Sequence, residues 1–469
     1  MLWFPVDRTS SKALTSQVYD QLRQRILSNE LIEGAKLPSS RELASQVGVS
    51  RNVVLEAYDR LLAEGYLEVR PQSGTYVAAG SFFPSAAGEF HRGGAPAGLP
   101  SSNPRGGIDF RAAHPAADYF PRVVWGRLAK EVCMHTPEQA FGYSGAEGTA
   151  ELRHVLARYL SQARGVRCRP DQIVVTSGAT QALHLITELF SSKDKPARIA
   201  VEDPVTDEMR TIFAYAGASL LPIPVDDKGI RTDALSLEDR PDLVFVLPSH
   251  QFPLGGTLPI QRRIQLIEFA RHADCFIIED DYDSEFTYEG VPVHSLQGLD
   301  PERVIYVGTF SKILSPALRI GYAVLPDRFI ERYRTLKWFA DRHTPTLEQL
   351  ILSRFMEEGY FDRHIRRMRK IYRKRREALV SALRLHLPEA RILGQSAGMH
   401  LVVELPDVQF TEALMTRIQA AGVHVYAVEH YALVKGNHER QIVMGYGGLT
   451  PEVIQEGVAR LAEAIRAGV

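Results

Sequence analysis

Hydrophobic positions near the start of the chain recur with helical spacing. Val18, Leu22 and Ile26 fall at every fourth position after Thr15 and Ser16, residue types that cap helices, and predict one amphipathic helix. In LPSSRELASQVGVSRNVVLEAYDRLLAEGY, Ser39 or Ser40 is placed to cap a short helix running to Gln46, Gly48 falls in the turn, and Ser50 caps a second helix. Val53, Val54, Ala57, Tyr58, Leu61 and Leu62 form paired rows along that helix, a stripe to be buried, and Arg51 and Asn52 begin its opposite face. Two short β-like runs follow, around residues 67–69 and 75–77, with Pro71 and Gly74 in the turn between them. The period is then lost. Residues 78–107 are rich in Gly, Pro, Ala and Ser and read as a flexible linker. Beyond it the apolar, β-rich runs QIVVTSG, ARIAVEDP, DLVFVLPS, CFIIEDDY and RVIYVGTF alternate with helical stretches such as ATQALHLITELF. Such alternation predicts an α/β domain with a mainly parallel sheet, helices on both faces, and ligand sites at the carboxyl ends of the strands.

The pattern divides the chain into residues 12–78, a linker over 79–107, and a large domain over 108–469. Two helices joined by a short Gly-containing turn, then a hairpin, describe a winged helix-turn-helix, a DNA-reading module. Ser50, Arg51 and Asn52 stand at the positive dipole end of the second helix, where they can read base edges or hold phosphates. Arg41 and the hairpin residues Arg70, Gln72 and Thr75 are placed to grip backbone. Charge adds little: residues 8–77 hold nine Lys and Arg against eight Asp and Glu. A three-helix packing module without a DNA partner is the bland alternative. The coincidence of the pattern with a polar face of the right residues favours DNA, and near-neutrality implies that tight binding needs dimerisation.

Over 469 residues the net charge is −1 and apolar residues make up 45%. No apolar run approaches the roughly 18 residues of a membrane span, and MLWFPVDRTSSK lacks the pattern of a secretory signal. Cys133, Cys168 and Cys275 are scattered without disulfide or zinc spacing, which points to a reducing cytoplasm and to no metal.

Candidate chemistry sits in three strand-end loops. One strand ends in Asp280-Asp281-Tyr282; thirty residues beyond Tyr282 the next runs into Ser311-Lys312, and Arg319 follows seven residues on. Upstream, Ser177, Gly178, Ala179 and Thr180 form a strand-to-helix turn. Each part suits a phosphorylated aldehyde on a pyridine ring. A buried lysine can hold the aldehyde as a Schiff base, and a buried carboxylate can keep the ring nitrogen protonated. The tyrosine can hydrogen-bond the ring hydroxyl, while free N–H groups, Thr180 and Arg319 suit a phosphate.

At LPSSRELA, VSRNVV and RPQSGTYV the first module resembles the GntR-type winged helix. At TSGATQAL, PSHQFPLGG, IIEDDYDSEF and GTFSKILSPALRIGY the second resembles fold-type I aminotransferases, and the whole chain is similar to the MocR/GabR regulators. The resemblance implies pyridoxal 5'-phosphate on Lys312, Asp280 under the ring nitrogen, Tyr282 beside the ring oxygen, and Ser311 and Arg319 on the phosphate. It also implies a cytoplasmic homodimer in which Tyr143 reaches the neighbouring subunit's phosphate, and operator DNA as partner.

Three positions depart from the enzymes. Phe252 stands where aminotransferases place the Asn that supports the ring oxygen, and Thr206 where an aromatic residue often covers the ring. Gln441, with Arg440 beside it, falls where an arginine would clamp a substrate carboxylate, and a neutral amide cannot replace that bidentate fork. The expected effector is therefore an amine, an unusual amino-acid derivative, or pyridoxal phosphate itself. These departures weaken the competing reading, a working aminotransferase with an accessory DNA-binding head. A regulator that has lost the cofactor is disfavoured by the presence of Lys312, Asp280, Tyr282 and Arg319. Residues 361–380 carry nine Lys and Arg, read as an exposed helix linking subdomains or as a stripe along DNA. His250 reads as a structural residue rather than a general base.

Overall fold

The computed structural model describes residues 4–10, 12–81, 107–112, 114–192, 195–289 and 293–467. The chain divides into two compact units, residues 1–102 and 103–469. Most of the predicted linker lies outside the described residues.

In the first unit, α1 (Leu14–Leu27) starts after Ala13 without a side-chain cap. Thr15 and Ser16, expected as caps, lie inside the helix, and Thr15 donates instead to Glu56 at 3.2 Å. The other two helices start where the sequence places them. Ser39 caps α2 (Ser40–Val47) by accepting from the Glu42 N–H, and α2 ends at Gly48 in the left-handed conformation, φ 73°. Ser50 caps α3 (Arg51–Ala63) by accepting from the Val53 N–H. The wing pairs β1 (Leu67–Arg70) antiparallel with β2 (Gly74–Val77), Arg70 opposite Gly74. Val18, Leu22 and Ile26 meet Val54, Ala57 and Leu61 in one core, and Phe4 packs into it from before α1.

The second unit opens with β3 (Ile108–Asp109), which pairs with residues 423–424. Its large sheet contains β4 (Ile173–Thr176), β5 (Arg198–Asp203), β6 (Ser219–Asp226), β7 (Gly229–Ile230), β8 (Leu243–Val246), β9 (Phe276–Asp281), β10 (Val304–Thr309) and β11 (Gly321–Val324). The spatial order is β4-β11-β10-β9-β8-β5-β6-β7. From β10 through β6 neighbours run parallel, and residues of β4, β8, β9, β10 and β11 are buried throughout, as apolar runs between helical layers require. The expected parallel sheet is present with one departure that matters. β11, which the sequence does not single out as a strand, runs antiparallel between β10 and β4.

That reversal gathers the site. Gly321, the first residue of β11, pairs with both Thr309 at the end of β10 and Thr176 at the end of β4. Ser177 and Lys312 lie one and three residues beyond these partners and Arg319 two residues before Gly321, so all three are delivered to one edge of the sheet. Asp280 and Asp281, at the end of β9, pair with Val307 and Gly308 of β10.

A smaller antiparallel sheet (Arg391–Leu393, His400–Glu404, Gln441–Gly445, Tyr426–Ala427) shares a core with the helices Tyr360–His386 and Pro451–Arg466. The first of these carries the basic stretch. Arg375 is buried and donates to the Gly447 carbonyl, Arg369 donates to the Glu285 carbonyl, and Arg376 pairs with Glu289. Much of the basic face is thus spent on the protein itself.

Candidate cofactor site and DNA-reading head

At the end of β9 two adjacent acids have separate surroundings. Asp281 Oδ2 accepts from Arg164 Nε at 2.7 Å, Ser284 Oγ at 2.9 Å and Tyr306 Oη at 2.5 Å. Arg164 also donates to Ser249 Oγ and the Val293 carbonyl, which satisfies a buried guanidinium. Asp280 is 2% exposed and its Oδ1 has no partner. Burial, reinforced by the Asp281 charge and opposed by Lys312, pushes its carboxyl up to about 7. On the neighbouring strand β5, Glu202 is buried as well and is pushed up to about 8, by burial first and in small part by Asp280.

Lys312 sits in the turn after β10, half-buried. Burial holds its ammonium below the usual lysine range and Arg319 adds to the effect; Glu208, Asp283 and Asp280 oppose it. Arg319 has φ 50° and donates from Nη2 to the Ser177 carbonyl at 2.8 Å. Gly178 precedes the helix Ala179–Phe190 at φ 95°, and a Cβ there would come within 2.8 Å of the Arg319 guanidinium. A Cβ on Gly321 would meet the Gly178 backbone at 2.7 Å. Two bare glycines therefore let a guanidinium close over a helix start, a cradle whose donors suit a phosphate. A bare buried acid, a lysine of lowered basicity and this cradle fit a phosphorylated pyridine aldehyde.

Ser177 donates from Oγ to Asp341 at 3.1 Å, and Gln181 donates to the same acid. Ser311 is buried beside Thr309, whose hydroxyl meets Ser311 Oγ at 3.1 Å; Thr180 is exposed. Tyr282 lies in the bend just past β9, so it is not a residue of the strand, and its hydroxyl reaches His250. Tyr143 is 81% exposed, edge-on to His343 and under Arg342. Thr206 caps the helix Asp207–Tyr215 by accepting from the Met209 N–H. Gln441 spends its amide on Glu404 and His438, at 2.9 Å each, and Arg440 reaches the Pro406 carbonyl. It is Val443, two residues further along that strand, that packs with Phe252, in an apolar cluster that also includes Leu254, Val402 and Val428, with Tyr431 against it.

In the head, Arg41, Ser50, Arg51, Asn52, Arg70 and Gln72 are exposed and Thr75 is half-buried. The Ser50 hydroxyl is occupied as a cap, and Arg51 Nε donates to Ser40 Oγ at 3.2 Å, which braces it against α2. Arg70 pairs with Glu68 at 2.7 Å and lies over the Tyr76 ring.

Residues 14–77 match the family model of bacterial regulatory proteins, gntR family, and residues 115–461 match that of aminotransferase class I and II. The chain is 35% identical to the probable rhizopine catabolism regulatory protein MocR of Rhizobium meliloti, across 98% of this chain and 96% of that one. The chain belongs to the MocR-type family of transcriptional regulators. It is also 32% identical to the pyridoxine biosynthesis transcriptional regulator PdxR of Corynebacterium glutamicum, across 97% of both. Among solved structures, LysN, the alpha-aminoadipate aminotransferase of Thermus thermophilus, complexed with N-(5'-phosphopyridoxyl)-L-leucine, superimposes with a TM-score of 0.70 at 29% identity. That match covers 77% of this chain and 93% of LysN.

As in its MocR-type relatives, a GntR-type DNA-binding head is joined to an aminotransferase-like domain of fold type I. Among the described residues no helix is long and apolar enough to cross a membrane. Sequence reasoning missed Glu202, Arg164, Asp283 and His400, all buried polar residues: Arg164 meets Asp281, Asp283 and His400 gather with His250, and Glu202 feels the charge of Asp280. Asp283 alone left a signal, in the acid-rich run EDDYDSEF.

Proposed function

We propose that this regulator carries pyridoxal phosphate covalently on Lys312 and reads a small-molecule effector through it, as a homodimer on operator DNA. The observation that carries the reading is the buried, unpartnered Oδ1 of Asp280, an acid poised near neutrality beside Lys312. When bound, the cofactor supplies an electrophilic carbon for amines and a ring that withdraws electrons. Asp280 holds the ring nitrogen's proton. The turn Ser177–Gly178–Ala179–Thr180, with Ser311 and Arg319, holds the phosphate, and Tyr282 stands at the ring oxygen. Tyr143 is exposed because it serves the partner subunit's site.

The effector is an amine, an amino-acid derivative or pyridoxal phosphate itself. Gln441 is tied to Glu404 and His438, and the wall around Phe252 and Val443 is apolar, so neither offers a guanidinium to a carboxylate. In the head, Arg51 and Asn52 read bases, and Arg41, Arg70, Gln72 and Thr75 hold the DNA backbone.

Absorbance spectra test the cofactor reading. The wild-type chain incubated with pyridoxal phosphate and dialysed is expected to keep a visible band, Lys312→Ala to lose it, and Asp280→Asn to retain cofactor more weakly. A band of equal strength in Lys312→Ala would remove this lysine from the mechanism.

A further inference from the structure

With Phe252 in place of the expected Asn, the ring oxygen has Tyr282 and no amide beside it. The phenol itself is held unusually firmly. Tyr282 Oη lies 3.1 Å from the His250 carbonyl, to which it donates, and 3.2 Å from His250 Nδ1. That same Nδ1 lies 3.0 Å from Asp283 Oδ2, and both side chains are 1% exposed. A carboxylate only accepts, so Nδ1 carries the proton, directed at Asp283 and the phenol oxygen together. Backbone and ring of one residue thus bracket the hydroxyl.

Two further features keep His250 in this role. Its Nε2 has no partner, and its ring packs 4.7 Å from that of His400. His400 meets the Pro253 carbonyl from Nε2 at 3.1 Å, so that nitrogen carries its proton; burial holds the ring well below the usual histidine range and therefore neutral. The His250 ring is sealed from water by an uncharged neighbour. Gly398 makes room for it: a Cβ there would stand 2.1 Å from His250 Cε1 and 2.6 Å from Asp283 Oδ2.

We propose that His250, oriented by Asp283, positions the Tyr282 hydroxyl and so takes over the support of the cofactor's ring oxygen that Phe252 cannot give. This rests on the cofactor reading above. His250 acts through Tyr282 and is a positioning residue. Burial first, and then the acids Asp283, Asp280, Glu202 and Asp281, keep the phenol protonated, and His250 fixes its direction.

The test is a pH titration of the visible band of the full chain loaded with pyridoxal phosphate. With the cofactor bound, the phenol proton turns from the His250 carbonyl to the ring oxygen while Nδ1–H stays on Oη; such a donor favours the ionised ring oxygen, so losing its placement raises the midpoint. His250→Phe is expected to raise it by roughly one unit. His250→Asn, whose amide N–H replaces Nδ1–H, is expected to return most of the shift, and in a Tyr282→Phe background His250→Phe should add nothing. An unmoved midpoint in His250→Phe, an equal shift in both backgrounds, or an Asn variant as displaced as Phe each overturns the proposal. Asp283→Asn, nearly isosteric, is the second variant should His250→Phe fail to fold; it is expected to move the midpoint the same way, and a wild-type midpoint there overturns the proposal. A wild-type chain with no band at all sinks the cofactor reading and this inference with it, whereas a band whose midpoint ignores His250 sinks the inference alone.

Discussion

Each of the two acids keeps a buried Oδ1 bare, but Asp281 accepts from Arg164, Ser284 and Tyr306 through Oδ2, whereas Asp280, one residue earlier and on the other face of β9, has no such donors. The first is spent on holding the fold, and the second is the acid of the proposed cofactor site. The bare acid has a consequence for stability. Asp280 ionises near 3.8 in an unfolded chain and at about 7 when folded. The folded protein therefore binds more protons between those values, and the cofactor-free protein loses stability as pH rises through that window. Asp280→Asn removes the penalty. Without cofactor, it is expected to be more stable than wild type at pH 8 by roughly 2 kcal/mol and no more stable at pH 4. Urea unfolding at the two pH values checks this, and an equal difference at both would contradict it.

At the scale of elements, the decisive feature is the antiparallel β11. Its first residue pairs with the ends of β4 and β10, and so the loops bearing Ser177, Lys312 and Arg319 share one edge. The approach is tight enough that glycine is required. In Gly178→Ala, φ 95° is strained and the new Cβ meets Arg319 at 2.8 Å. The strain costs on the order of 1–2 kcal/mol. Cofactor retained after dialysis should fall, with far-ultraviolet circular dichroism unchanged; full retention would show that this turn does not hold the phosphate. The basic helix Tyr360–His386 teaches a different lesson. Its charges look free in the sequence, yet Arg369, Arg375 and Arg376 are bound to Glu285, Gly447 and Glu289. Linear charge density cannot reveal partners more than seventy residues away.

For the whole molecule, two units with separate cores imply separable functions. Arg51→Ala is expected to weaken specific DNA binding by about 1–3 kcal/mol if the side chain reads a base, and to leave the visible band untouched. Lys312→Ala should abolish the band and leave effector-free DNA binding in place. Gel-shift titration and absorbance on the same preparations measure both, and a band lost in Arg51→Ala would couple the two units in a way their separate cores do not require. Helix starts, the wing and most strands of the large sheet were legible because they are set by near neighbours. Ser39 and Ser50 cap within three residues, and the strand runs are continuous apolar stretches. Thr15 and Ser16 misled because a capping residue type does not by itself fix where a helix begins. The residues that carry the proposed cofactor chemistry, Lys312, Asp280, Tyr282 and Arg319, were also visible, since their chemistry is concentrated in short strand-end runs.

Sequence alone determined the family and the two-part architecture and singled out the lysine and the acid of the proposed cofactor site, because local periodicity and short motifs encode them. Only the tertiary structure decided which acid of the pair takes the bonds that hold the fold, that Gln441 is engaged with Glu404 while Val443 packs with Phe252, and that His250, Asp283 and His400 meet beside Tyr282. Those outcomes depend on contacts between residues as many as 191 positions apart, made in a buried interior where an unpaired polar atom is costly. A linear pattern carries no record of which partner satisfies it.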